Sequence, residues 1–252
     1  MTDTPTDMTG ARGGLRRELG LASATALVVG EVVAVGIFLT PAGMAKSLGS
    51  PALVLAVWLL MTLTALCGAL CYGELASRFP EAGGAYVYLR EAYGPAVAFL
   101  YGWMAFLVMD TGLTAALAVG LAGYAVYLPG VSPSWAKAIA VASIVLAAAV
   151  NVLGVRAGAR LVRWLTALKL GVLAFIMLWG FARGLGDWSH FTPFVEPRAG
   201  SAPLAGALAG ALVSAFFSFG GWWDLSKLAG EVREPARNLP RALVAGVLVV
   251  AF

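Results

Sequence analysis

LVVGEVVAVGIFLTP, residues 27–41, and FFSFGGWWDLSKLAGEV, residues 216–232, are the two stretches on which the fold turns. Each is an apolar run interrupted where a helix should be strongest. The first carries Gly30 and Gly36 near its middle, a carboxylate at Glu31 and Pro41 beyond. The second carries the pair Gly220–Gly221 between aromatic side chains. Glycine inside a helix costs about 1 kcal/mol against alanine. One such glycine in a membrane is commonly a helix contact, and Gly206 and Gly210 are expected to form one. Two interrupted helices in corresponding positions form a stronger pattern, which points to a binding site at the bilayer midplane.

The rest of the chain supports a membrane setting. Of its 252 residues, 60% are hydrophobic and 12% charged, against roughly 25% charged in soluble domains. The net charge of +4 sits in short clusters between apolar runs, which speaks for topology and against a nucleic-acid partner. Cys67 and Cys71 lie four apart in an apolar run and read as packing thiols, with neither disulfide nor metal-ligand spacing. His190 falls in a polar loop and reads as a surface residue. The first apolar run is too long for a cleavable signal.

A spanning helix needs about 20 apolar residues. Six stretches qualify, near 21–45, 51–77, 95–127, 134–154, 161–182 and 204–228. A seventh, 241–252, is still apolar at Phe252, so a fragment is expected. The expected division is a polar tail, 1–18, and a partial transporter domain, 19–252. Eleven basic residues (Arg12, Arg16, Arg17, Arg78, Arg90, Arg156, Arg160, Arg163, Arg233, Arg237, Arg241) fall on one side. Lys46, Lys137, Arg183 and Arg198 fall on the other. This asymmetry predicts a multi-pass protein of the cell membrane with its amino terminus in the cytoplasm.

Ionisable groups within a span cost about 2.5–3.5 kcal/mol each and usually face a cavity or a partner. Glu31, Asp110, Lys169 and Asp224 qualify, while Glu74 and Lys227 lie nearer the cytoplasmic ends, where they can snorkel or pair at the surface. Two readings stand for Lys169, a snorkelling lysine and a buried ammonium set against bare backbone carbonyls. A Glu31–Lys169 ion pair is the sharpest expectation. Asp110 reads as a buried hydrogen-bonded group or a functional carboxylate.

Three segments together resemble the amino acid–polyamine–organocation superfamily, nearest its L-type amino acid transporters. They are GEVVAVGIF (30–38), YGELASRFPEAGGAYVYLREAYGPAVAFLYGW (72–103) and FFSFGGWWDLSKLAGEVREPARNLPRAL (216–243). The resemblance implies an all-α LeuT-type inverted-repeat fold, with the first repeat as helices 1–5, a broken helix 6 and the start of helix 7. It implies secondary transport of amino acids, as permease or antiporter, by alternating access. The alternatives are a polyamine or other organic-amine transporter of the same fold, and a membrane sensor that binds without moving its ligand. An enzyme would need a catalytic cluster, and no such set, metal site or cofactor motif is evident.

By the resemblance, amides around Ala34, Val35 and Gly36 take a substrate carboxylate, as unpaired amides at a helix start favour. Carbonyls near Val32, Val33 and Phe217 take its ammonium. Ser218 belongs to the same binding set, Phe217 gates the site and Gly220 leaves room for the side chain. Lys169 stands in for an ion near the carbonyls of Gly30 and Val33. Two departures bear on the substrate. Ala34 replaces a glycine of the motif, and Glu31 replaces a small or uncharged residue, so a cationic substrate or proton coupling is admitted. The partners implied are an amino acid and the lipid bilayer, and nothing selects an oligomeric state.

Overall fold

The computed structural model describes residues 17–152, 155–186, 188–192, 194–196 and 200–251. Arg12, Arg16, Arg198, Phe252 and most of the predicted polar tail lie outside the described residues, as do the side chains of Arg156, Arg160, Arg163 and His190.

Every long element is helical. In chain order they are α1 (Leu21–Val32), α2 (Gly36–Leu48), α3 (Pro51–Arg78), α4 (Ala85–Tyr93), α5 (Pro95–Met104), α6 (Asp110–Ala125), α7 (Ala136–Val152), α8 (Val155–Ala182), α9 (Leu204–Phe219) and α10 (Pro235–Ala251). A π turn, Ala105–Met109, joins α5 to α6, so that 95–125 runs as one span. A 3-10 segment, Trp222–Glu231, follows α9. Five helical spans among the described residues are long and apolar enough to cross a membrane, or six with the bent α1–α2 pair counted as one.

Local chemistry explains the boundaries. Ser50 caps α3, its hydroxyl accepting from Leu53 N–H at 3.4 Å, and Pro51 takes the first helical position, where no N–H is needed. Gly94, at φ +88, separates α4 from α5. Residues 85–93, expected as part of a loop, form α4. The seventh helix begins at Pro235 rather than near Arg241, with proline again at the first position. Helix α8 reaches back to Val155, which draws Arg156, Arg160 and Arg163 out of the expected loop and onto the helix.

Apolar burial alone cannot bind helices in lipid, so close approach between small residues matters. The main core follows that rule, with Ala24, Ala69, Ala76, Ala229 and Ala242 fully buried among Val28, Leu239 and Leu243. Three glycines permit the tightest contacts. A Cβ at Gly68 would stand 2.6 Å from the Trp222 ring, one at Gly73 3.0 Å from Pro240 Cα, and one at Gly246 2.3 Å from Val28 Cγ1. Among the described residues the contact expected at Gly206 and Gly210 is not formed, since a Cβ at either would meet nothing within 4 Å. These two glycines sit on a face of α9 turned away from the packed helices. Cys67 and Cys71 are free and exposed on α3.

Gly246→Val should be costly, because Val28 Cβ itself would lie 2.6 Å from the new atom and cannot swing aside. Overpacking of this kind costs about 1–3 kcal/mol. The midpoint of detergent-induced unfolding should fall accordingly, and an unchanged midpoint would show that α1 and α10 do not pack as described.

Candidate functional site

Both interrupted runs lose helical pairing at the residues singled out. Between α1 and α2 the axis turns by 46°. Val33 N–H still reaches the Val29 carbonyl at 2.9 Å, but Ala34 N–H turns to Val32 at 2.7 Å. The carbonyl of Gly30 thereby loses its usual partner. The amides of Val35, Gly36 and Ile37 find no backbone carbonyl among the described residues. The second break is sharper in torsion than in direction. Gly220 is extended (ψ 161°) and Gly221 left-handed (φ +103°), a conformation that favours glycine. Gly220 N–H turns to Phe217 at 3.4 Å, and the chain resumes as the tighter 3-10 winding.

The two breaks touch. A Cβ on Gly221 would lie 3.1 Å from the Glu31 carbonyl oxygen, and one on Gly36 only 2.6 Å from Ser218 Cα. Thr40 Oγ1 and Ser218 Oγ share a hydrogen bond of 2.6 Å between α2 and α9. Lys169, from the middle of α8, donates to the freed carbonyl of Gly30. An ammonium thus replaces the amide that α1 lost. No bond from Lys169 to the Val33 carbonyl is found among the described residues. The Glu31–Lys169 ion pair is likewise not formed, since no described ion pair includes either residue. The Lys169 head group is engaged by backbone, while Glu31 lines a cavity instead.

That cavity, of about 390 Å³, is walled by both breaks and by α6. Ala34, Val35, Gly36, Phe217 and Gly220 line it together with Glu31. Val32, Val33 and Ser218 line a second cavity of about 260 Å³, with Trp58 of α3 and Leu173 of α8. The predicted set is therefore divided by the backbone that carries it.

Three ionic residues in the larger cavity were legible only singly. Asp110, Asp224 and Lys227 converge there, Lys227 Nζ lying 2.9 Å from Asp224 Oδ1 and 3.5 Å from Asp110 Oδ1. Asp110 is 59% exposed, which corrects its reading as a buried group, and Lys227 faces the cavity rather than a surface partner. The i, i+3 spacing of Asp224 and Lys227 was the available signal. Nothing in sequence indicated that Asp110 would meet them. Among the described residues no group of three His, Cys, Asp or Glu is placed to hold a metal ion.

Comparisons with known proteins agree with this architecture. The amino acid permease family matches over residues 19–252. The b(0,+)-type amino acid transporter 1 of Oryctolagus cuniculus is 32% identical over 241 residues, covering 94% of this chain and 49% of the relative. The large neutral amino acids transporter small subunit 2 of Homo sapiens is 33% identical over 257 residues, covering 96% and 47%. The serine/threonine exchanger SteT of Bacillus subtilis (strain 168) is 31% identical over 237 residues, covering 94% and 52%. The chain thus spans about half the length of the curated relatives it matches. With a family match over nearly its whole length and two broken spans meeting at one cavity, the chain belongs to the amino acid permease family.

Proposed function

We propose that this chain is the substrate-gripping half of a secondary transporter that moves amino acids across the cell membrane by alternating access. The observation that carries the reading is the shared cavity between two backbone breaks. Amides of Val35 and Gly36, at the start of α2, attract a carboxylate through their unpaired N–H groups and the helix dipole. The carbonyl of Phe216, left bare when Gly220 N–H turns to Phe217, attracts an ammonium, and the aromatic rings there cover the ligand. Lys169 holds the break open by satisfying Gly30. The relatives' names, all amino acid transporters or exchangers, support the same class of cargo.

In the full reading the fold is the LeuT-type inverted repeat, with helices 1–5 as its first repeat and Lys169 in the place of a coupling ion. Val32, Val33 and Ser218 belong to the same site from its far side. The amino terminus is cytoplasmic, and Glu31 is the carboxylate available for proton coupling. Transport then consists of binding the amino acid differently in outward- and inward-facing states.

Reconstituted into liposomes, the full-length protein is expected to take up labelled amino acid, with trans amino acid or an inward proton gradient accelerating uptake. Absence of uptake under both drives, with the ligand still bound, would reject transport in favour of a sensor.

A further inference from the structure

The charges in the larger cavity do not balance. Glu31, Asp110 and Asp224 face a single ammonium, that of Lys227, while the remaining wall is mostly apolar. Lys169 is absent from this wall, and its ammonium, held by the Gly30 carbonyl, offsets part of the Glu31 charge from behind, which still leaves three carboxylates against two cations. Lys227 is tethered to Asp224 three residues away on its own segment, at 2.9 Å, and reaches across to Asp110 on α6 at a looser 3.5 Å. Asp110 follows directly on the π turn Ala105–Met109. Such a turn adds a residue to the winding and is frequent at functional sites. One carboxylate is therefore held firmly and the other shares what remains of one cation.

Resting on the proposed transport of amino acids, we infer that the cavity selects substrates with a second positive charge at the end of the side chain, and that Lys227 is the internal cation they displace from Asp110. With all groups ionised the four side chains sum to a net negative charge, which draws a cation in. An anionic side chain would have to pull Lys227 from two carboxylates and then face a third. A neutral side chain leaves the Asp110–Lys227 pair closed. An ammonium or guanidinium replaces Lys227 at Asp110, while Asp224 retains Lys227 through their short tether. Lys227 is thus a specificity-determining residue that competes with the substrate's own side chain.

The test is competition binding of lysine and leucine to the full-length protein in nanodiscs, read as the ratio of their affinities. Lysine is expected to win in the native protein. Asp110→Asn should lower the lysine-to-leucine ratio by about tenfold, the effect of roughly 1.4 kcal/mol. Lys227→Met should raise it by a similar factor, because the internal competitor is gone. Opposite shifts separate selectivity from folding damage, which weakens both ligands together. Ratios that stay fixed, or that move the same way in both variants, overturn the inference. Leucine binding without lysine competition in the native protein also overturns it, yet leaves amino acid transport standing. If neither amino acid binds, the transport reading itself fails.

Discussion

Lys169→Met should cut amino acid uptake by roughly 100-fold while the protein still inserts and folds. Methionine preserves most of the aliphatic stem and loses the ammonium. What disappears is the bond to the Gly30 carbonyl, the acceptor that α1 leaves bare when Ala34 N–H turns to Val32. A hydrogen bond from a charged donor contributes about 1.5–3 kcal/mol, and an unmet buried carbonyl costs about 1–3 kcal/mol. A loss near 3 kcal/mol corresponds to a factor of roughly 100. The chain can recover part of that energy by rewinding residues 33–35 into helix, which would bury the amides of Val35 and Gly36 that are to hold the ligand. Initial uptake rates in proteoliposomes, normalised to protein recovered in folded form, measure the effect. Uptake within about threefold of the native rate, a difference of under 1 kcal/mol, would show that Lys169 does not maintain the break.

Gly36→Ala should be nearly as damaging for a different reason. The added methyl would lie 2.6 Å from Ser218 Cα, 3.1 Å from its Oγ and 3.2 Å from its backbone nitrogen. Two of these atoms are backbone, so no rotamer change relieves the clash. Helices α2 and α9 must separate, stretching the 2.6 Å Thr40–Ser218 hydrogen bond as they do. Overpacking costs about 1–3 kcal/mol in stability. Ligand affinity should fall as well, because Gly36 carries one of the unpaired amides. Gly206→Ala is the matched comparison, since its methyl would meet nothing within 4 Å. Thermal melting and uptake of the pair should diverge, with Gly36→Ala impaired in both. Equal behaviour of the two variants would show that the close approach of α2 to α9 is not required.

Much of the membrane architecture could be read from the chain because lipid imposes simple rules. Length and apolarity delimit spans, and glycine inside an apolar run marks a place where a helix is weak. Gly36 and Gly220–Gly221 were legible for that reason, and the structure places breaks at both. Lys169 was legible as an ammonium in the wrong solvent, and the carbonyls of Gly30 and Val33 were given as its partners only by the family resemblance, not by the residue types alone. Glu31 is the obvious opposite charge in sequence, yet a carbonyl two residues from the break took the bond, since freed backbone acceptors leave no mark in composition. Asp110 shows a second limit. Its meeting with Lys227 joins residues 117 positions apart, and Asp110 directly follows a π turn, whose inserted residue helical periodicity cannot register in advance. Helix α4 was missed because nine residues between Gly84 and Gly94, with charges at Arg90 and Glu91, look like an ordinary polar connection. Gly206 and Gly210 show the reverse error, a small-residue spacing that signals contact and makes none here.

The most direct test of the account watches the backbone itself. Solution NMR of the ¹⁵N-labelled protein in nanodiscs can follow the amides of Val35, Gly36 and Ile37 during titration with an amino acid. Bare N–H groups that grip a carboxylate should shift strongly and saturably together, and the carboxyl-free amine should leave them where they were. If the amino acid binds while these three resonances stay still, or if they already exchange as slowly as the hydrogen-bonded amides of α1 without ligand, the broken-helix site does not exist as described.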